Sequence, residues 1–173
     1  MVVAPALPRA ALWWAKRTDK TQGYKYVGDA AKKAGVSSSL KNTPTDNRLV
    51  IPSIQLDQPI KESKSISTIS NGGAWRRPAT SSPDHGGNTV VVGHRFTYLG
   101  KSTFTNLPDV KVGDVVVVFW NGKEIDYTVT ATKVVEPNDR SIENQTNDQQ
   151  LTLYTCTPMW TSKQRFVVIA RPV

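Results

Sequence analysis

Cys156 is the single cysteine of this 173-residue chain. It closes the run Thr152-Leu153-Tyr154-Thr155-Cys156, Arg165 follows nine positions later, and His94 ends the upstream run Asn88-Thr89-Val90-Val91-Val92-Gly93-His94. A lone thiol has no internal disulfide to form, so its placement points to chemistry. Thiol, imidazole and guanidinium together supply what a cysteine nucleophile needs: an attacking sulfur, a proton carrier and a fixed cation that favours the thiolate. Free cysteine is also among the most buried residue types, so Cys156 taken alone reads more readily as a small core side chain. The position of His94 shifts the balance. The chain has two histidines, and this one stands at the mouth of a β-branched run whose glycine lets the backbone turn.

The elements that must position these groups are strands. Apolar and β-branched runs predict strands at about 48–54, 89–94, 114–120, 124–135, 150–155 and 165–170, with Asn121-Gly122 a hairpin signal between the third and fourth. Val115 to Phe119 is continuously apolar, as a strand covered on both faces should be, while Ile125 to Val129 alternates toward one wet face. Many short strands and few helices predict an all-β fold, a closed or nearly closed barrel with short helices. Residues 157–164 then join neighbouring strands, so Cys156 and Arg165 come to the same edge of the sheet.

TLYTC (152–156), VVVGHR (90–95) and the arginine that opens RFVVIA (165–170) resemble the sortases, cysteine transpeptidases of monoderm bacterial surfaces. LVIPSI (49–54), GGAWRRP (72–78) and STFTNLPDVKVGDVVVV (102–118) extend the resemblance, in the family's order, over about residues 48–171. The resemblance implies an eight-stranded sortase barrel with a short helix around Thr103 to Leu107. It also implies that Cys156 attacks a peptide carbonyl, His94 carries the proton and Arg165 holds substrate and oxyanion. The implied substrate is a secreted protein with a C-terminal sorting signal of Leu-Pro-x-Thr-Gly type, joined to an amine of peptidoglycan or of a pilin. The short spacing from Cys156 to Arg165, with Thr157-Pro158 between, is similar to the pilin-polymerising or class D and E sortases. No Asp-Pro-aromatic lid tripeptide precedes the barrel, which favours a cell-wall-anchoring or class D or E type.

Charge and composition add an appendage to this single domain. Residues 1–41 hold eight basic and two acidic side chains, six of the eight net positive charges, ahead of a nearly neutral remainder. Residues 1–47 therefore read as a basic N-terminal appendage and linker, and 48–173 as the catalytic barrel. The appendage would lie against anionic lipid or wall polymer, or be a solvated linker helix; Trp13 and Trp14 are a juxtamembrane belt or the apolar face of a packing helix. Pro5, Pro8 and Arg9 interrupt the apolar start well short of the ~20 residues a membrane span needs, so no transmembrane segment is expected. Family membership would place the chain at the outer face of the cytoplasmic membrane or in the wall, by a trimmed anchor or through the basic segment.

Other residues carry blander readings. His85, in Pro83-Asp84-His85-Gly86-Gly87, is a loop residue; Arg95 should face away from His94 if its strand continues, which makes it structural; Thr155 caps its strand or orients substrate. The chain has no CxxC, HExxH or glycine-rich phosphate loop, so no cofactor is expected. Glu136, Asp139, Glu143 and Asp148 would be the calcium ligands, though their spacing matches no compact loop and a solvated acidic stretch accounts for them better. Two alternatives share the composition: a hydrolytic cysteine peptidase with the same dyad, and a non-catalytic basic polymer-binding barrel stacking on Trp75, Trp120 and Trp160. Nucleic acid is not an expected partner, because most of the excess charge lies outside the barrel.

Overall fold

A computed structural model describes residues 44–98 and 103–173. Most of the expected basic appendage, Trp13 and Trp14 included, lies outside them. Eight strands close into a barrel: β1 (Arg48–Ile51), β2 (Leu56–Glu62), β3 (Ala74–Arg76), β4 (Asn88–Val92), β5 (Val115–Trp120), β6 (Lys123–Val135), β7 (Gln150–Thr157) and β8 (Gln164–Pro172). Their order around the barrel is β1-β2-β3-β4-β7-β8-β6-β5, with β5 returning to β1. Two neighbouring pairs, β2 with β3 and β4 with β7, are parallel. Parallel neighbours need crossover connections. One carries the short helix α1 (Ser67–Ser70) across the outer face; the other runs from β4 through β5 and β6 before reaching β7.

Alternation along each strand decides what faces the core. Leu151 and Leu153 of β7, Val91 of β4 and Val168 and Ala170 of β8 point inward to one cluster with Leu49, Phe104 and Tyr127. The intervening residues therefore face outward. Val90 and Val92 of β4 form a second cluster with Ile69 of α1 and Trp75, with Tyr154 packed against it. β5 is buried at every position, as its unbroken apolar run requires, with Val116 and Val118 in the main core and Val115, Val117 and Phe119 in a cluster with Val50. Tyr127 brings a hydroxyl into the interior, but it donates to Pro83 O (3.2 Å) and accepts from Gln149 Nε2 (3.1 Å), which satisfies the buried oxygen.

Two differences from the sequence reading have local causes. β2 contains Pro59 and β3 is three residues long, so neither shows the run of β-branched residues that marks a strand. Thr103 to Asn106 forms turns, not the expected helix; the only helical turn there is a 3-10 turn at Leu107–Asp109. Pro108 within that turn removes the N–H that a continuing helix would use. Burial also removes the stacking platform of a polymer-binding barrel, since Trp75 and Trp120 are 2% and 3% exposed and only Trp160 of the three reaches the surface.

Candidate active site

The thiol and the guanidinium meet through strand register. Cys156 on β7 lies directly opposite Arg165 on β8 in an antiparallel pair, so both side chains emerge on one face. Because Leu153 and Val168 point inward, that face is the outside of the barrel. Cys156 is free and partly exposed, as a nucleophile must be. Nη1 of Arg165 donates to two backbone carbonyls, Ser162 O and Gln164 O, both at 3.0 Å. Both acceptors are neutral carbonyls, and Nε and Nη2 have no partner among the described residues.

The connection between β7 and β8 is a tight loop with two non-glycine residues in the left-handed region, Trp160 (φ 81°) and Ser162 (φ 52°). Such conformations cost free energy and persist where surrounding structure holds them. Here the Ser162 N–H bonds back to Pro158 O (3.1 Å), which turns the Ser162 carbonyl toward Arg165 and sets Trp160 beside the thiol.

His94 arrives from β4, the parallel neighbour of β7. Val92 pairs with Tyr154, Gly93 N donates to Tyr154 O (3.5 Å), and the Thr155 hydroxyl donates to Gly93 O (2.8 Å). Thr155 itself is buried, with its hydroxyl tying the two strand ends together. The His94 carbonyl accepts from two N–H groups, Thr103 (3.0 Å) and Phe104 (2.8 Å), which folds the following chain over the strand end. That fold requires glycine at 93. A Cβ there would come 2.9 Å from Phe104 Cγ and 3.0 Å from Thr103 Cβ, closer than real Cβ contacts. Gly93→Ala should therefore cost about 1–3 kcal/mol through overpacking and displace the histidine segment, read as a lower melting midpoint together with lost thiol-dependent activity. An unchanged midpoint would show that Phe104 yields without strain.

Burial lowers the pKa of His94 below its ordinary 6.5, and no carboxylate opposes the shift. The imidazole is therefore neutral at pH 7. An NMR titration should give a midpoint under 6.5. The sign for stability follows: as pH falls through 6.5 the unfolded chain takes up this proton first, so the fold loses stability between 6.5 and the lower native value and is most favoured above that window. A midpoint above 6.5 would mean an unrecognised anion faces the ring.

Two clefts share only His94 and Cys156. One, about 180 Å³, is mostly apolar and runs along the outer face past Val92, Tyr154, Trp75 and Ile69, with Arg165 and Arg77 at its edges. Its polar wall is a closed network in which Tyr154 Oη donates to Glu143 Oε1 (2.6 Å), Arg77 pairs with Glu143 (3.1 Å) and the Arg77 guanidinium lies over the Trp75 ring at 4.9 Å. Burial and the adjacent carboxylate push the Tyr154 phenol well above its usual range, so it stays a donor. Asn88 holds the segment bearing Glu143 in place, donating to Ile142 O and Asn144 O at 3.0 Å each. The second cleft, about 160 Å³, lies on the other side of the thiol and is lined by Arg95, Phe96, Tyr98 and Trp160.

The sequence reading placed Arg95 on the far face, whereas the structure places it in the cleft beside Cys156. Alternation stops applying because β4 ends at Val92, three residues earlier. His85 sits in an exposed loop, with Nδ1 contacting Ser82 Oγ (2.8 Å) and Asp84 Oδ1 (3.0 Å), and lines neither cleft. Among the described residues no three His, Cys, Asp or Glu side chains converge as metal ligands. Of the acidic residues near β7, Glu143 binds Arg77 and Tyr154, Asp139 accepts from Ser141 N (2.9 Å) and Glu136 accepts from Gln164 (3.3 Å).

Comparison with known proteins converges on one family. A sortase-domain model matches residues 49–173. Sortase A of Bacillus anthracis is 26% identical over 132 residues, covering 76% of this chain and 61% of that protein, so the chain spans under two thirds of this relative's length. Among solved structures, a lid mutant of sortase A from Corynebacterium diphtheriae superposes with a TM-score of 0.69 at 25% identity, covering 95% of this chain and 93% of that one. Sortase E1 of Streptomyces coelicolor, solved with a tripeptide in its active site, gives 0.66 at 26% identity, over 76% of this chain and 89% of that one.

Proposed function

The chain belongs to the sortase family, and we propose that it is a cysteine transpeptidase that cleaves a C-terminal sorting signal and transfers the acyl part to an amine. The observation that carries this reading is the register pair of Cys156 and Arg165 with His94 beside it, Cys156 and His94 lining both clefts. A transferase must hold an acyl donor on one side of its nucleophile and admit an acceptor from the other. The apolar cleft suits an extended peptide with branched aliphatic residues, such as a Leu-Pro-x-Thr-Gly signal.

In the first half-reaction the Cys156 thiolate attacks the carbonyl carbon of the scissile peptide bond. Arg165, whose Nε and Nη2 remain for substrate, stabilises the negative charge that develops on oxygen. The carbon–nitrogen bond breaks as protonated His94 gives its proton to the departing amine, leaving a thioester on sulfur. In the second half an amine attacks the thioester carbonyl, its proton passes to His94, and the carbon–sulfur bond breaks to restore the thiolate. The depressed pKa of His94 makes the imidazolium a minority form at neutral pH, so turnover is slow.

Every step is carried by these side chains, and the reading needs no cofactor. Calcium near Glu136, Asp139, Glu143 and Asp148 would have to compete with Arg77 and Tyr154 for Glu143. The donor would be a secreted protein and the acceptor an amine of the wall or of a pilin, which places the reaction at the outer surface of the cytoplasmic membrane. Among the described residues no helix is long and apolar enough to cross a membrane.

A hydrolytic peptidase would use the same three residues and differ only in its acceptor. Incubation with a panel of sorting-signal peptides, with and without added amine, separates the two by product mass. Transpeptidation requires that amine accelerate peptide consumption and appear in the product. Cleavage that ignores amine would make the protein a hydrolase.

A further inference from the structure

The second cleft contains a cation that the proposed chemistry does not use. Arg95 stands on the segment after β4, and its Nη1 donates to Thr157 Oγ1 (2.8 Å) at the end of β7, which fixes the guanidinium beside Cys156. Its Nε is buried without a hydrogen-bond partner, and the side chain forms no ion pair among the described residues. Asp109 acts on it only through space, and burial dominates, lowering its pKa. A desolvated cation held by one hydroxyl is incomplete, because burying charge is unfavourable until an anion or full hydrogen bonding compensates it.

Arg95 has apolar company. Phe96 and Trp160 meet edge to face with centroids 3.9 Å apart, and Tyr98, 86% exposed, packs edge-on against Phe96 at 5.3 Å. The trio lines the cleft together with the thiol that would carry the acyl group. With the acyl chain in the apolar cleft, an amine reaches the thioester carbonyl from this side.

We propose that this cleft is the acceptor subsite, and that it selects an amine bearing a carboxylate close to the reacting nitrogen, with Arg95 binding the carboxylate and Phe96, Tyr98 and Trp160 packing on the carbon skeleton between. The proposal rests on the transpeptidase reading. A plain alkylamine would leave the guanidinium without an anion, whereas an amino carboxylate supplies it. Arg95 is a specificity-determining residue in this account, separate from the three that move electrons and protons.

The test compares acceptors that differ only in that charge. Glycine is set against glycinamide, and D-alanine against D-alaninamide, at equal concentrations of unprotonated amine, with one sorting-signal peptide as donor and products read by mass. The expected wild-type preference for the carboxylate is about tenfold, the effect of one charge-assisted contact of about 1.4 kcal/mol. Arg95→Gln should bring the ratio to about one, and Arg95→Lys should keep part of it, since lysine retains the charge without the planar fork. The wild-type ratio needs no variant and decides by itself: a ratio at or below one overturns the proposal, as does an unchanged preference in Arg95→Gln. Formation of the thioester on Cys156 is followed in the same samples. Its formation without carboxylate preference overturns the acceptor proposal alone, and its absence overturns the transpeptidase reading as well.

Discussion

Cys156→Ala should abolish peptide cleavage and transfer, by more than about 10⁴-fold, while leaving the barrel folded. Loss of the attacking atom removes the covalent route altogether, and what survives in such variants is binding and positioning alone. The structural effect should be small. Cys156 sits on the outer face of β7, is partly exposed and belongs to none of the buried clusters. Substitutions at such positions change stability by about 0.5 kcal/mol. Thermal melts of the two proteins should therefore nearly coincide, and residual turnover in the alanine variant would rule out sulfur as the nucleophile.

Arg165→Lys should lose about 10²–10³ in transfer rate while retaining reaction with a small thiol-alkylating reagent. Arginine at this position does two things at once. Its Nη1 is held by Ser162 O and Gln164 O, and the residue lines the apolar cleft together with Cys156. Lysine has one nitrogen, which either satisfies those carbonyls or reaches the substrate, and cannot span both as a planar fork does. Removing one well-placed donor to an oxyanion costs about 3–4 kcal/mol in the transition state. Alkylation needs only an accessible thiolate, so it should proceed near the wild-type rate. Equal loss of both reactions would assign Arg165 to thiolate formation or to folding, and near-wild-type transfer would remove its geometric role.

The separation between readable and unreadable features has a physical basis. β4, β5, β7 and β8 were legible because their β-branched runs match a local rule, and the Asn121-Gly122 turn between β5 and β6 carries its own signature. β2 was not, because Pro59 breaks the pattern and the strand is held by its neighbours: Arg48 pairs with Pro59 on one side and Ile60 with Ala74 on the other. The meeting of Cys156 with Arg165 followed from a short connection between adjacent strands, a local fact. The clefts did not follow. They depend on α1 bringing Ile69 into one cluster with Val90 and Val92 and on Asn88 clamping the segment of Glu143, which join residues far apart in sequence. Arg95 was misplaced for the same reason, since a strand ending at Val92 leaves no alternation to extrapolate, and only the hydrogen bond to Thr157 brings it back to the thiol.

The central claim is that sulfur of Cys156 carries the acyl group between donor and acceptor. The measurement that reads it most directly is intact-protein mass spectrometry after mixing with a sorting-signal peptide and quenching in acid, followed by mapping of the adduct. The account predicts a single adduct, of the mass of the acyl fragment, on the peptide containing Cys156, and its decay on addition of an amine as the amide product appears. An adduct on another residue, or amide product formed without any adduct passing through Cys156, would contradict it.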